Sequence, residues 1–360
     1  MRSISDTIER LIRHRTRAST TSPGTTSLLK LSEAGRNPGG LTGWYRVPQA
    51  SDEPPALVVV LHGCTQTAAG YDYGSGWSKL ADDYGFAVLF PEQSRQNNPN
   101  LCFNWFQAED ITRGKGEVQS IIEMVGLMLA DHGVDPKRIY VTGLSAGGAM
   151  ANALLATYPE VFAGGAIIAG LPYGVAHTVP EAFDRMRGHG MASATKLDAK
   201  LRSASAHHGP WPTVSVWHGT ADNTVAAENA RAIIDQWRGV HEVEKRPTSS
   251  QPIDGHLREI WEDDYGREVI ELHCIKGMAH GTPLDPATGY GHSAPYMLDV
   301  GISSTVHIAR SWRLTPSFQR RADFSEHAET TRDEPRRPTA AAGGIQDVIE
   351  NALRSAGLMK

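Results

Sequence analysis

Five residues, Gly143-Leu144-Ser145-Ala146-Gly147, constrain this chain more than any other stretch. In front of them Lys137 to Thr142 is β-branched and aromatic enough to read as a short buried strand. Behind them Gly148 to Ala156 reads as a helix that ends at Tyr158-Pro159. A strand, a G-x-S-x-G run and a helix make a nucleophile elbow, in which the serine sits on a tight, strained turn and its oxygen stands above the sheet. Glycine is required where strand and helix approach too closely for a Cβ. The pentapeptide recurs in unrelated proteins; the strand before it and the helix after it make it a statement about chemistry.

A serine hydroxyl needs a base to take its proton, and the base needs a carboxylate to orient it. On a fold with such an elbow the order is Ser, Asp or Glu, then His, with an oxyanion donor on an upstream loop. Each part is present in that order. The apolar strand Leu57 to Leu61 runs into His62-Gly63-Cys64-Thr65, and Thr213 to Trp217 runs into His218-Gly219-Thr220-Ala221-Asp222. Val269 to Ile275 leads to Lys276-Gly277-Met278-Ala279-His280-Gly281. Ser145 is therefore expected as nucleophile, His280 as general base and Asp222 as its orienting acid, with backbone N–H groups of Cys64 and Ala146 stabilising the oxyanion. Among rival histidines, His218 precedes the acid, His273 lies inside a strand, and His292 follows later; Asp254, Asp263 and Asp264 sit in polar, turn-like segments.

At these residues the chain resembles the polyhydroxybutyrate-depolymerase-type esterases. The resemblance is carried by Leu61-His62-Gly63-Cys64-Thr65-Gln66, Cys102-Phe103-Asn104-Trp105-Phe106, Gly143 to Met150, the Asp222 stretch and Gly277 to Gly281. It covers roughly residues 40 to 312. It implies an α/β-hydrolase fold, with a mostly parallel central sheet covered by helices on both faces, and hydrolysis of a carboxylic ester without cofactor or metal. The family takes in depolymerases of short-chain polyhydroxyalkanoates and feruloyl or acetylxylan esterases. It often pairs cysteines at the positions of Cys64 and Cys102. Such a disulfide would pin the long loop and imply an oxidising compartment, extracellular or periplasmic; two reduced thiols in a cytoplasmic enzyme are the alternative.

Composition narrows the rivals. With 35 Lys+Arg against 40 Asp+Glu the net charge is −5, which argues against a nucleic-acid partner. The 40% of hydrophobic residues allow a sizeable core, and no apolar run is long enough to span a membrane. Three cysteines are too few for a disulfide scaffold or a zinc ribbon. His207-His208 and His218 could be metal ligands, but no H-E-x-x-H or similar spacing accompanies them. A non-catalytic ester-binding protein on the same fold would normally have lost one of Ser145, Asp222 and His280, and all are present. Oligomeric state is left open.

Residues 1–39 read as a basic amphipathic helix, with Ile4, Ile8, Leu11 and Ile12 at helical spacing, followed by a linker. That helix is either loosely docked or a membrane-surface or targeting element, and no secretory h-region is visible. Residues 40–312 are expected to be the hydrolase domain, with strands at 43–48, 57–61, 86–90, 137–142, 166–169 and 213–217 and a hairpin of 256–261 with 268–275. Helices are expected at 117–132, 228–238 and 302–312, and a mostly surface-exposed one at 70–84. Residues 170–211 show no strand signal and are assigned as a lid or rim. Residues 313–360 read as a disordered tail with a short terminal helix, too short for a polymer-binding domain.

Trp105, with Asn104 and Phe106, is expected as an apolar wall for the acyl group, and Tyr173 as a further substrate contact; packing of Trp105 under a long loop is the alternative. On that basis soluble or amorphous 3-hydroxyalkanoate oligomers are the first choice of substrate, with feruloyl-type esters second.

Overall fold

In the computed structural model, which describes residues 27–32, 36–48 and 53–315, the apolar run Leu57–Leu61 forms strand β3. Leu57, Val59 and Leu61 enter one apolar core, and Val58 and Val60 enter a second one. This period-two division, with both faces buried, is what a continuous apolar run produces in a parallel sheet covered on both sides.

The other strands of the sheet are β1 (Leu29–Lys30), β2 (Thr42–Arg46), β4 (Ala87–Glu92), β5 (Ile139–Leu144), β6 (Gly164–Ile168), β7 (Thr213–Gly219), β8 (Ser249–Ile253), β9 (His256–Glu262) and β10 (Glu268–Ile275). They form one ten-stranded sheet in the order β1-β2-β4-β3-β5-β6-β7-β10-β9-β8. Strands β4, β3, β5, β6, β7 and β10 run parallel, and the two ends are closed by antiparallel pairs. From β3 the chain moves outward to β4 and then returns to β5 on the other side of β3. Open α/β sheets bind their ligands at such a switch point, beyond the carboxyl ends of the strands. Leu61 pairs with Gly143 across β3 and β5, so the Gly63-Cys64 turn and Ser145 leave the sheet side by side.

The helices are α1 (Ala68–Ser75), α2 (Trp77–Tyr84), α3 (Ala108–Ile111), α4 (Gly116–His132), α5 (Ala146–Thr157), α6 (Val179–Met186), α7 (Ala194–Ser203), α8 (Glu228–His241) and α9 (Ser304–Ser311). Ile121 and Val125 of α4, Leu154 of α5 and Ile233 and Trp237 of α8 fill the core with Val59. Tyr71 of α1, Trp77 and Leu80 of α2 and Val306 and Ile308 of α9 fill the core with Val58. A short second sheet pairs β11 (Thr282–Leu284) with β12 (Met297–Asp299).

The expected fold is the observed one, with local corrections. Residues 68–84 are two helices, broken at Gly76 where φ is +75°, and Tyr71, Trp77 and Leu80 are buried; the expected surface exposure of this stretch is wrong. Strand β1 lies in the segment read as linker, and β8 carries Pro252 and a largely exposed face, which leaves no apolar alternation to read. Leu314 and Thr315 are buried, so folded structure continues past Trp312. The stretch 170–211 contains α6 and α7 and, as expected, no strand. The N-terminal amphipathic helix and the tail from 316 onward lie outside the described residues. Among the described residues no helix is long and apolar enough to cross a membrane.

Candidate active site

Strand β5 delivers Ser145 at φ 58° and ψ −116°, a conformation that costs a non-glycine residue on the order of 1–3 kcal/mol and persists only where the surroundings enforce it. Here the Ser145 N–H donates to Ile168 O (2.8 Å), and its carbonyl accepts from Ala149 N–H (2.9 Å) in the first turn of α5. The flanking glycines allow the close approach: a Cβ on Gly143 would lie 2.4 Å from Gly147 O, and one on Gly147 would lie 2.5 Å from both Leu61 O and His62 O.

His280 reaches this point from the loop after β10. Its Nε2 lies 2.9 Å from Ser145 Oγ, and its Nδ1 lies 2.7 Å from Asp222 Oδ2. Asp222 follows β7, and its Oδ1 accepts from the N–H groups of Thr224 (2.8 Å) and Val225 (2.9 Å). Burial alone would raise the Asp222 carboxyl, but the charge and hydrogen bond of His280, with His218 and the Val225 N–H, hold it below the ordinary carboxylate range. An ionised Asp222 only accepts, so Nδ1 of His280 carries the hydrogen and Nε2 is left to accept the Ser145 O–H. The acid and histidine loops are laced together: Ala221 N–H donates to Met278 O (3.0 Å), and Gly277 N–H to Thr220 Oγ1 (2.8 Å).

The rival residues have other partners, and His218 also lies against Asp222. His218 is buried, with Nε2 donating to Val225 O (2.9 Å) and 3.5 Å from Asp222 Oδ2, and burial lowers its pKa. His273 stacks on Trp217 and pairs with Glu271, and His292 stacks on Tyr73. Asp254 pairs with His307 and Asp263 with Arg267, while Asp264 is exposed. His207 bonds Pro210 O (2.9 Å), apart from the His218–Asp222 contact.

Beside the elbow, the Gly63–Cys64 turn is held on several sides. Gly63 N–H donates to Gln66 Oε1 (2.8 Å), and Gly63 O accepts from Nδ1 of the buried His62 (2.8 Å). Gln93 N–H donates to His62 Nε2 (3.1 Å), which fixes the tautomer. Burial lowers the His62 pKa to about 4, so the ring is neutral. Cys64 is joined to Cys102 by a disulfide, whereas Cys274 is free. Among the described residues, the N–H groups of Cys64 and Ala146 meet no acceptor in the protein.

The residues expected to contact substrate lie close to the elbow or in the loops around it. Asn104 is 4% exposed; its Oδ1 accepts from Asn98 Nδ2 (3.0 Å) and its N–H donates to Glu117. That side chain braces the loop. Trp105 is 6% exposed, edge-on to Phe106, and shares a core with Ala146 and Met150. Tyr173 is half-buried, its backbone held at both ends by the Gln236 amide. Sequence reasoning missed Gln66, His62 and Tyr296, whose ring stands edge-on to His280 at 6.1 Å. Gln66 and His62 lie within the quoted run 61–66 but their side-chain bonds carry no pattern; Tyr296 had no signal.

Comparison with known proteins shows the family and the fold. A family model described as esterase PHB depolymerase matches residues 42–244. The poly(3-hydroxyalkanoate) depolymerase C of Paucimonas lemoignei is 43% identical over 79% of this chain and 69% of its own length. An acetylxylan esterase of Coprinopsis cinerea is 33% identical over 71% and 69% of the two chains, and feruloyl esterase B of Talaromyces stipitatus 31% over 72% and 73%. In fold, the chain matches the solved acetyl xylan esterase of Aspergillus awamori with a TM-score of 0.68 at 23% identity, over 81% of this chain and all of that one. Matched by the family model over more than half its length and by a depolymerase over most of it, this chain belongs to the PHB depolymerase esterase family and is a serine ester hydrolase on an α/β-hydrolase fold.

Proposed function

We propose that Ser145, His280 and Asp222 form the catalytic triad of a carboxylesterase that works through an acyl-enzyme. The observation that carries this reading is the unbroken line from Asp222 Oδ2 to His280 Nδ1 (2.7 Å) and from His280 Nε2 to Ser145 Oγ (2.9 Å). Ser145 Oγ attacks the ester carbonyl while His280 takes its proton, and the C=O electron pair moves onto oxygen. The Cys64 and Ala146 N–H groups, which meet no acceptor among the described residues, are suited to bind that oxyanion. Collapse breaks the bond to the alcohol, which leaves with the proton from His280. Water then repeats the sequence on the acyl-serine and releases the acid.

For substrate, the reading is short 3-hydroxyalkanoate oligomers and polyester, supported by the relative with 43% identity, a poly(3-hydroxyalkanoate) depolymerase. Trp105 and Tyr173 would border the acyl site, with 170–211 as its rim on a catalytic domain of residues 40–312. The disulfide favours an oxidising compartment, extracellular or periplasmic. A feruloyl or acetylxylan ester is the second reading, since relatives of both kinds align over about as much of the chain. A panel of hydroxybutyrate trimer, methyl ferulate and short p-nitrophenyl esters decides by kcat/KM, with Ser145→Ala as control. The trimer is expected to lead; a preference of about tenfold or more for methyl ferulate would overturn the substrate assignment.

A further inference from the structure

Behind the Gly63–Cys64 peptide runs a buried polar chain to which the chemistry above gives no role. It starts at Glu117, in the first turn of α4, whose exposure is 0%. Glu117 Oε1 accepts from Gln93 Nε2 (2.5 Å), and Oε2 accepts from Asn104 N–H (2.9 Å). Gln93 Nε2 also donates to Cys102 O (3.1 Å), while Gln93 Oε1 accepts from Ser94 N–H (2.9 Å) and Asn97 Nδ2 (3.0 Å). The Ser94 N–H can only donate, which fixes the orientation of the Gln93 amide.

Two arms leave Glu117. One passes through Gln93, whose backbone N–H holds His62 Nε2, and through the His62 ring to Gly63 O. The other passes through the Asn104 N–H, and from Gln93 Nε2 to the Cys102 carbonyl, to the segment whose disulfide ends on Cys64 itself. In a trans peptide the C=O and the N–H point in opposite directions in one plane. A bond that fixes Gly63 O therefore aims the Cys64 N–H. Glu117 holds this place at a cost, because burial and the neighbouring acid Asp110 push its carboxyl up to about 8. Apolar side chains fill such sites with less penalty, and perturbed buried acids gather where function needs them.

We propose that Glu117 and Gln93 are positioning residues for the hydrolysis, holding the Gly63–Cys64 peptide from behind so that the Cys64 N–H meets the oxyanion as it forms. The proposal rests on the reading of that N–H as an oxyanion donor.

The test compares Glu117→Ala, Gln93→Ala and the double variant on a short p-nitrophenyl ester. It also measures their inactivation by a p-nitrophenyl alkylphosphonate, whose adduct on serine mimics the tetrahedral anion. Losing a donor outright costs about a hundred- to a thousandfold. Misaiming one is expected to lower kcat and the inactivation rate together by about ten- to a hundredfold, with KM within about twofold. The double variant should lose no more than about threefold beyond the worse single one, since both act through one peptide. If Glu117→Ala does not fold, the exchange of Gln93→Glu with Glu117→Gln decides, because it keeps an N–H···O bond between the two positions with its direction reversed. It should recover at least about fivefold in kcat over Gln93→Glu alone, in which two carboxyls face each other. A kcat within about twofold of the native enzyme in either folded single variant, a loss confined to KM, multiplicative losses in the double, or no recovery in the exchange overturns the proposal. Ser145→Ala separates the layers: if it abolishes hydrolysis and labelling while Glu117→Ala is unaffected, only the positioning role falls, and if it retains full turnover, the triad reading falls as well.

Discussion

Removing the disulfide through Cys64→Ser with Cys102→Ser tests how far the site depends on a cross-link rather than on packing. The bond spans 38 positions of sequence. Closing a loop of that length in the unfolded chain removes entropy worth about 4 kcal/mol at 25 °C. In a large domain about 1 kcal/mol moves the melting temperature by roughly 2 °C, so the double variant should melt about 8 °C lower. Activity should fall as well, because the link ends on the residue whose N–H is assigned to the oxyanion. Its neighbour Thr65 adopts φ +67°, a left-handed conformation that a β-branched residue keeps only under constraint. Thr65 N–H still donates to Asn100 O (2.7 Å), so the loop should loosen rather than detach. The assay is a thermal melt of the native protein, with and without reductant, beside the double variant, with kcat measured on each and peptide mapping to identify the linked cysteines. Cys274, which is free, serves as the internal control for thiol labelling. If the variant melts within about 2 °C of the oxidised protein and keeps its kcat, the bond constrains neither the unfolded chain nor the site.

Asp222→Ala is expected to lower kcat at least about a thousandfold, and combining it with His280→Ala should add little, because the residues act as a unit; near-normal turnover in Asp222→Ala would mean the acid is misassigned. His62 is buried at a pKa of about 4, below its ordinary 6.5, so its contribution to stability is complete above about pH 6.5 and lost as the pH falls toward 4. His62→Asn should therefore reduce the slope of unfolding free energy against pH in that window by about 1.4 kcal/mol per unit, and equal slopes in the two proteins would refute a neutral buried ring. Gly147→Ala places a methyl group 2.5 Å from two backbone carbonyls and should both destabilise the protein, by about 1–3 kcal/mol or more, and cut activity; an unchanged melt and rate would show that the elbow is less tightly packed against β3 than described.

Much of this protein is decided by local pattern. The elbow, the apolar strand Leu57–Leu61 and the loops that present Asp222 and His280 are legible because each joins a periodic apolar run to a residue type with one chemical use, in an order the fold dictates. The same logic fails at β8, where an exposed edge strand with a proline has no buried face to advertise itself, and at 68–84, where Tyr71, Trp77 and Leu80 are buried in a core shared with Val58 and Val60 of β3 and Val306 of α9. It fails most completely at Glu117. In sequence it is an acid in the first turn of an amphipathic helix, which reads as a solvated end favoured by the helix dipole. Only the tertiary structure brings it to Gln93 and Asn104, residues 24 and 13 positions away, and closes the chain of donors to Gly63. Apolar periodicity records which face is buried, but the partners of a buried polar group are set by which loops the sheet order brings together, and a single sequence carries no trace of that.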